Sequence, residues 1–131
     1  MDLTQTVGAY VHSIAPQVPF AIEFDTQGTP VLLGPLACQH VLGLIQESVN
    51  NILKHTQAQR VRLALLWHAD RLDITVADDG SGFDPDSVQT NGHYGLTMLR
   101  ERTRELHGEM RIKSAPGAGT SLQFEIPFKT L

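Results

Sequence analysis

Glu47, Asn51 and Lys54 are spaced at i, i+4 and i+7 in a stretch whose apolar residues recur with helical spacing. At about 100° per residue they fall within roughly 60° of one another, on one stripe of a helix. A carboxylate there can polarise an attacking nucleophile, an amide oxygen is a hard ligand suited to Mg2+, and an ammonium suits phosphate charge. The same stripe also reads as a solvated helix face with i,i+4 pairs. Asp78 follows the alternating apolar run Leu72–Ala77 and leads into Asp79-Gly80-Ser81-Gly82. A carboxylate at a strand end can accept a hydrogen bond from an exocyclic amine, which separates adenine from guanine at that edge. Gly80 and Gly82 would let the backbone pass close to a flat base. A plain turn is the alternative; a calcium loop is not, because its later ligands, including the closing Glu, are missing. The third segment is Gly92-His93-Tyr94-Gly95-Leu96, a glycine turn opening a helix, where free N–H groups and a positive dipole end suit polyphosphate. Gly117-Ala118-Gly119-Thr120, taken alone, reads as a hairpin connection.

These segments need elements to hold them. Leu3 to Ile14 has weak helical periodicity and stops before Pro16 and Pro19. Phe20 to Asp25 alternates as a strand, with a turn at Gln27-Gly28 and a short return strand at Val31-Leu32-Leu33. Gly34-Pro35 opens the longest helix, whose apolar face is Leu42, Ile45, Val49, Ile52 and Leu53. The period then changes from 3.6 to 2. Val61, Leu63, Leu65 and Trp67 alternate, Ala69-Asp70 turns, and Leu72, Ile74 and Val76 alternate again, which makes a hairpin. Residues 83–94 form a loop. Leu96, Leu99, Thr103 and Leu106 mark a helix ending at Gly108. Met110 and Ile112, then Leu122, Phe124 and Ile126, close with a hairpin around Pro116 to Gly119. One mainly antiparallel sheet with about three helices can be covered on one face only, a two-layer α/β sandwich.

Composition narrows the function. A chain of 131 residues is one domain by size, and 41% hydrophobic with 18% charged residues fits a globular protein. Net charge −4 and no basic stripe argue against nucleic acid as a partner. The single Cys38 excludes an internal disulfide framework and reads as a buried thiol in a reducing, cytoplasmic setting. Met1 to Pro16 is no signal peptide, and no apolar run reaches membrane-spanning length. A cytoplasmic part of a membrane-bound protein fits equally. His12, His40, His55, His68 and His93 show no paired metal-ligand spacing. His107, in Arg104-Glu105-Leu106-His107-Gly108, superficially suggests a phosphoacceptor, but it lies at a helix end and reads as a surface residue.

Taken together, the segments resemble the GHKL ATPases of the Bergerat nucleotide-binding fold, and specifically the catalytic and ATP-binding domain of sensor histidine kinases. Gln46 to His55 looks like the N box, Asp78 to Phe83 like the G1 box, Gly92 to Leu96 like the G2 box, and Gly117 to Thr120 like the last glycine-threonine turn. The likeness runs over residues 35–127 of a single domain spanning 1–131. The short interval between the G1 and G2 boxes implies a small ATP lid. The run from His93 to Arg102 looks most like the nitrate/nitrite sensors among kinases that pair with helix-turn-helix response regulators.

The resemblance implies roles. Asn51 binds Mg2+, Glu47 is the acid assisting transfer, and Lys54 and His55 lie along the phosphates. Asp78 holds the adenine amine, with Gly80 and Gly82 beside the base and Thr120 near it. Gly92, Tyr94, Gly95 and Leu96 flank the phosphates, although Gly92 fits the lid as well as a contact. It further implies ATP as the nucleotide, a dimerisation domain carrying the phosphoacceptor histidine as partner, and a response regulator downstream. Only about 30 residues precede the long helix, so that histidine is expected on another segment or chain. Two other readings stay open, an anti-sigma-factor-type serine kinase and a non-catalytic ATP-dependent interaction module.

Overall fold

The computed structural model describes residues 2–82 and 96–128. Helix α1 spans Leu3–Ile14, strand β1 Ala21–Gln27, helix α2 Pro35–His55, strands β2 Arg60–Trp67 and β3 Arg71–Asp78. Helix α3 (Leu96–Glu105) and strands β4 (Glu109–Ser114) and β5 (Thr120–Pro127) follow. The five strands form one sheet in the order β1-β2-β3-β5-β4. β1 pairs parallel with β2 and every other pairing is antiparallel. The parallel pair follows from α2, because two parallel neighbours need a crossover long enough to carry the chain back.

Period-2 patterning decides which face is covered. Val61, Leu63, Leu65 and Trp67 of β2 pair across with Asp78, Val76, Ile74 and Leu72 of β3. The apolar members of this set are buried, as are Leu122, Phe124 and Ile126 of β5. Leu3 and Val7 of α1, Val41, Leu44 and Ile45 of α2, and Leu96 and Leu99 of α3 bury their side chains in the same core. The two-layer sandwich expected from the pattern is the one observed, and Cys38 lies in its core. Asp78 has the same parity as Leu72, Ile74 and Val76. The register therefore turns a carboxylate toward the helix layer at the very end of a core strand, directly beside Thr120 of β5.

Two local expectations are corrected. Residues 31–33 form no strand; Val31 and Leu32 are exposed and only Leu33 is buried. Pro30 and Pro35 bracket the run with residues that cannot donate to a ladder. The chain here connects the end of β1 to α2 rather than pairing back on β1. Leu53 is 45% exposed, not part of the apolar face. It stands one step around the helix from Ile52, and the buried stripe is centred on Val41, Ile45, Ser48, Val49 and Ile52. His107 is exposed and adopts φ 57, ending α3 as Gly108 donates its N–H to the Thr103 carbonyl.

Gly119 joins fold to site. Its φ is +75, and a side chain there would run into the Asp78 carbonyl. Gly119→Ala combines an unfavourable left-handed conformation with a backbone collision, so a cost above about 1 kcal/mol is expected. A melting temperature lowered by at least about 3 °C checks it.

Candidate functional site

The last turns of α2, the ends of β3 and β5 and the first residue of α3 meet around a cleft. Its walls are Asn51, Ile52, Thr56, Val76, Asp78, Leu96, Thr120 and Leu122. Three of the four polar walls, Asn51, Asp78 and Thr120, are residues singled out by sequence. The cleft holds about 20 Å3, room for about one water.

Asp78 is half-buried and its Oδ1 accepts a hydrogen bond from the Gly80 N–H at 2.8 Å. Among the described residues no hydrogen bond reaches its other oxygen. Burial pushes its carboxyl above the ordinary range; the Gly80 N–H opposes this and the neighbouring Asp79 charge adds to it. Across the ladder, Thr120 is buried and its hydroxyl lies 2.9 Å from that of Ser114, which donates to the Gly119 carbonyl at 2.9 Å. Ser114's only proton is then spent, so Thr120 donates between the two hydroxyls and offers a lone pair to the cleft.

Asn51 enters from the helix side. Among the described residues its buried Nδ2 has no hydrogen-bond partner. A donor left unspent inside a cleft is suited to an acceptor on a ligand, and the oxygen of the same amide is of the type a hard cation takes. Among the described residues no group of three His, Cys, Asp or Glu side chains could hold a metal by itself.

Other predicted residues lie nearby but outside the walls. Glu47 is half-buried one turn before Asn51; Lys54 is exposed and His55 half-buried in the last turn of α2, where cations also complement the helix dipole. Around Gly80, the space a side chain would fill is occupied by Thr56 and the Asp78 carboxylate. Gly82 has φ +65 and faces the carbonyls of Ala115 and Gly119. Gly92, Tyr94 and Gly95 lie outside the described residues.

Sequence reasoning missed Thr56 as a wall. Its hydroxyl donates to the Ile52 carbonyl at 2.9 Å and its N–H caps the same carbonyl, so it closes α2 and faces the cleft together. The signal was present in its place directly after Lys54-His55 at a helix end. A larger cavity, about 330 Å3, lies on the open face of the sheet between Asp25, Arg62, Thr75, Arg111 and Glu125. Its charges already pair, Arg62 with Asp25 at 3.6 Å and Arg111 with Glu125 at 3.8 Å. No motif residue lines it, so the smaller cleft is the candidate site.

The sequence pattern of the histidine kinase-, DNA gyrase B- and HSP90-like ATPases matches residues 39–130. The chain belongs to this family. Among curated members, it is 32% identical over 109 residues to the sensor histidine kinase LiaS of Bacillus subtilis, covering 83% of this chain and 29% of LiaS. It is 31% identical over 112 residues to the nitrate/nitrite sensor protein NarX of Escherichia coli, covering 85% of this chain and 19% of NarX. The chain thus spans less than a third of either relative. The histidine kinase domain of the blue-light activated kinase from Erythrobacter litoralis superposes with TM-score 0.79 at 23% identity, covering 98% of this chain and 62% of that one. The ATP binding domain of PrrB from Mycobacterium tuberculosis gives 0.78 at 19% identity, covering 97% and 94%. The ATPase fold of the family is therefore that of this chain.

Proposed function

We propose that this ATPase-family domain binds Mg-ATP in the cleft and passes the γ-phosphoryl group to a histidine on a separate dimerisation domain. The observation that carries the reading is Asp78, a half-buried carboxylate with one oxygen unspent, facing a cleft whose opposite side holds an unspent Asn51 amide. Asp78 accepts a hydrogen bond from the adenine amine and Thr120 receives a second polar contact beside it. Asn51 would hold Mg2+ through its amide oxygen, and the ion would supply charge neutralisation to the phosphates. Glu47 polarises the attacking imidazole, while Lys54 and His55 extend the helix toward the phosphates. Gly80 and Gly82 shape the base side; Gly92, Tyr94, Gly95 and Leu96 belong to the phosphate side.

Phosphoryl transfer asks little covalent chemistry of the protein, and positioning with charge stabilisation does most of the work. The imidazole nitrogen forms the new bond to phosphorus as the bond to the bridging oxygen breaks and ADP leaves. A response regulator then receives the phosphoryl group downstream. No described helix is long and apolar enough to cross a membrane. A single cytoplasmic domain, with no direct contact to membrane or nucleic acid, is the setting proposed.

The test mixes the chain with labelled Mg-ATP and dimerisation helices of histidine kinases, and asks for acid-labile, alkali-stable phosphohistidine on the helices. Slow or no hydrolysis is expected from the chain alone. Acid-stable phosphoserine on a serine-bearing partner, with no histidine labelled, would overturn the assignment in favour of a serine kinase. ATP binding with no transfer to any acceptor would leave an interaction module instead.

A further inference from the structure

We infer that Asp79 is a positioning residue of the nucleotide site, holding the end of the metal-side helix and the base-side carboxylate in one register. The inference rests on the reading that Asp78 binds the adenine amine. Asp79 is exposed and lines no wall of the cleft. Yet its Oδ1 accepts two backbone hydrogen bonds, from the Gln59 N–H at 2.8 Å and the Arg60 N–H at 2.9 Å. Its own N–H donates to the Arg60 carbonyl at 3.3 Å, so the contact runs both ways.

The place of this clamp in the chain gives it a function. Gln59 and Arg60 lie just beyond Thr56, separated from it only by Gln57 and the buried Ala58. Thr56 is the cap of α2 and a wall of the cleft, and it fills the space beside Gly80. At its other end the clamp is covalently joined to Asp78. One carboxylate thus ties the helix terminus that carries Asn51 and Thr56 to the strand terminus that carries Asp78. A single oxygen taking two N–H groups is a charge-assisted arrangement, about twice as strong as a neutral one. The two N–H bonds hold the Asp79 carboxyl below the ordinary carboxylate range, so it remains charged at neutral pH. Without the carboxylate, the Gln59 and Arg60 N–H groups lose their charged acceptor and only the backbone bonds of Arg60 to Asp79 and of Gln59 to Ala21 remain, so the aim of Asp78 at an exocyclic amine is held less tightly.

A surface hydrogen bond that only adds stability would weaken all nucleotides alike. A positioning bond acts on the base edge. ATP and ITP differ at that edge, because hypoxanthine lacks the exocyclic amine. The experiment measures dissociation constants of both nucleotides with Mg2+ by calorimetry, using the full 131-residue chain. The wild type is expected to prefer ATP. In Asp79→Ala the ATP-over-ITP ratio is expected to fall about fivefold or more, since two charge-assisted bonds are lost. Asp79→Asn keeps the accepting oxygen without the charge and is expected to lie between the two. Should the alanine variant not fold, the asparagine variant decides alone, and an unchanged ratio there overturns the inference. A wild-type ratio in Asp79→Ala, or equal loss for both nucleotides, also overturns it. A wild type that binds ATP and ITP equally would instead refute the adenine role of Asp78, and the Asp79 inference with it.

Discussion

Asp78→Asn is expected to weaken ATP binding by about 1.5–3 kcal/mol, roughly ten- to a hundredfold in Kd, without destabilising the nucleotide-free domain. The two effects separate because they have different origins. ATP loses a charge-assisted hydrogen bond to its amine. The empty fold loses almost nothing, since an asparagine oxygen can still accept the Gly80 N–H that Asp78 accepts at 2.8 Å. Burial raises the Asp78 carboxyl above the ordinary range, so folding disfavours its ionised form. The stability linked to this group is present below the unfolded carboxylate's pKa and is lost as pH rises through the raised one. Wherever Asp78 is ionised it is therefore a burden on the apo fold, and asparagine lifts it. The apo melting temperature should be unchanged or higher in the variant. ATP affinity of the wild type should decline on acidification through the raised pKa, relative to Asp78→Asn, in which groups common to both proteins titrate alike. Unchanged ATP affinity in the variant would sink the adenine assignment. A lower melting temperature accompanying the weaker binding would instead mark Asp78 as structural.

Much of this arrangement can be read from residue order, and the parts that cannot have physical reasons. The β2–β3 hairpin and α2 announce themselves through periods of 2 and 3.6, and strand parity alone turns Asp78 to the covered face. Parallel pairing of β1 with β2 is a long-range choice that alternation in β1 does not encode. Val31 to Leu33 has strand-forming residues, but the prolines around it and the path to α2 override that propensity. Asn51 and Thr120 line the cleft, whereas Lys54 and His55, which lie in sequence between the wall residues Ile52 and Thr56, do not. Gly80 and Gly82 were read as making room for a base. The structure adds a requirement inside the fold: a side chain at Gly80 would meet Thr56, and one at Gly82 the turn carbonyls. Asp79 carries no role in the sequence reading, because its partners are backbone groups nineteen and twenty residues away. Side chain-to-backbone bonds of that separation leave no periodic trace.

Asn51→Ala is expected to lower Mg2+-dependent transfer to a supplied phosphoacceptor helix by about a hundredfold or more, while metal-free ATP binding changes little. The expectation starts from a single atom. Among the described residues, the buried Asn51 Nδ2 has no hydrogen-bond partner. An unsatisfied buried donor costs about 1–3 kcal/mol, so for stability alone alanine would serve better at this position. The amide is explained if its NH2 donates to the bound nucleotide while its oxygen turns to the cation. Alanine removes both ends and relieves the apo fold, so the variant should melt no lower than the wild type. Asn51→Asp tests charge against geometry: it keeps an oxygen but trades the neutral amide for an anion facing the phosphates, and transfer should be lost there too. The measurements are initial rates of phosphohistidine formation and ATP Kd with Mg2+ and with EDTA. Transfer retained in Asn51→Ala at the wild-type rate would refute the metal role. Equal loss of ATP affinity with and without Mg2+ would assign Asn51 to the nucleotide itself. The expected pattern, a Mg2+-specific loss in a fold no less stable, is one that packing alone does not produce.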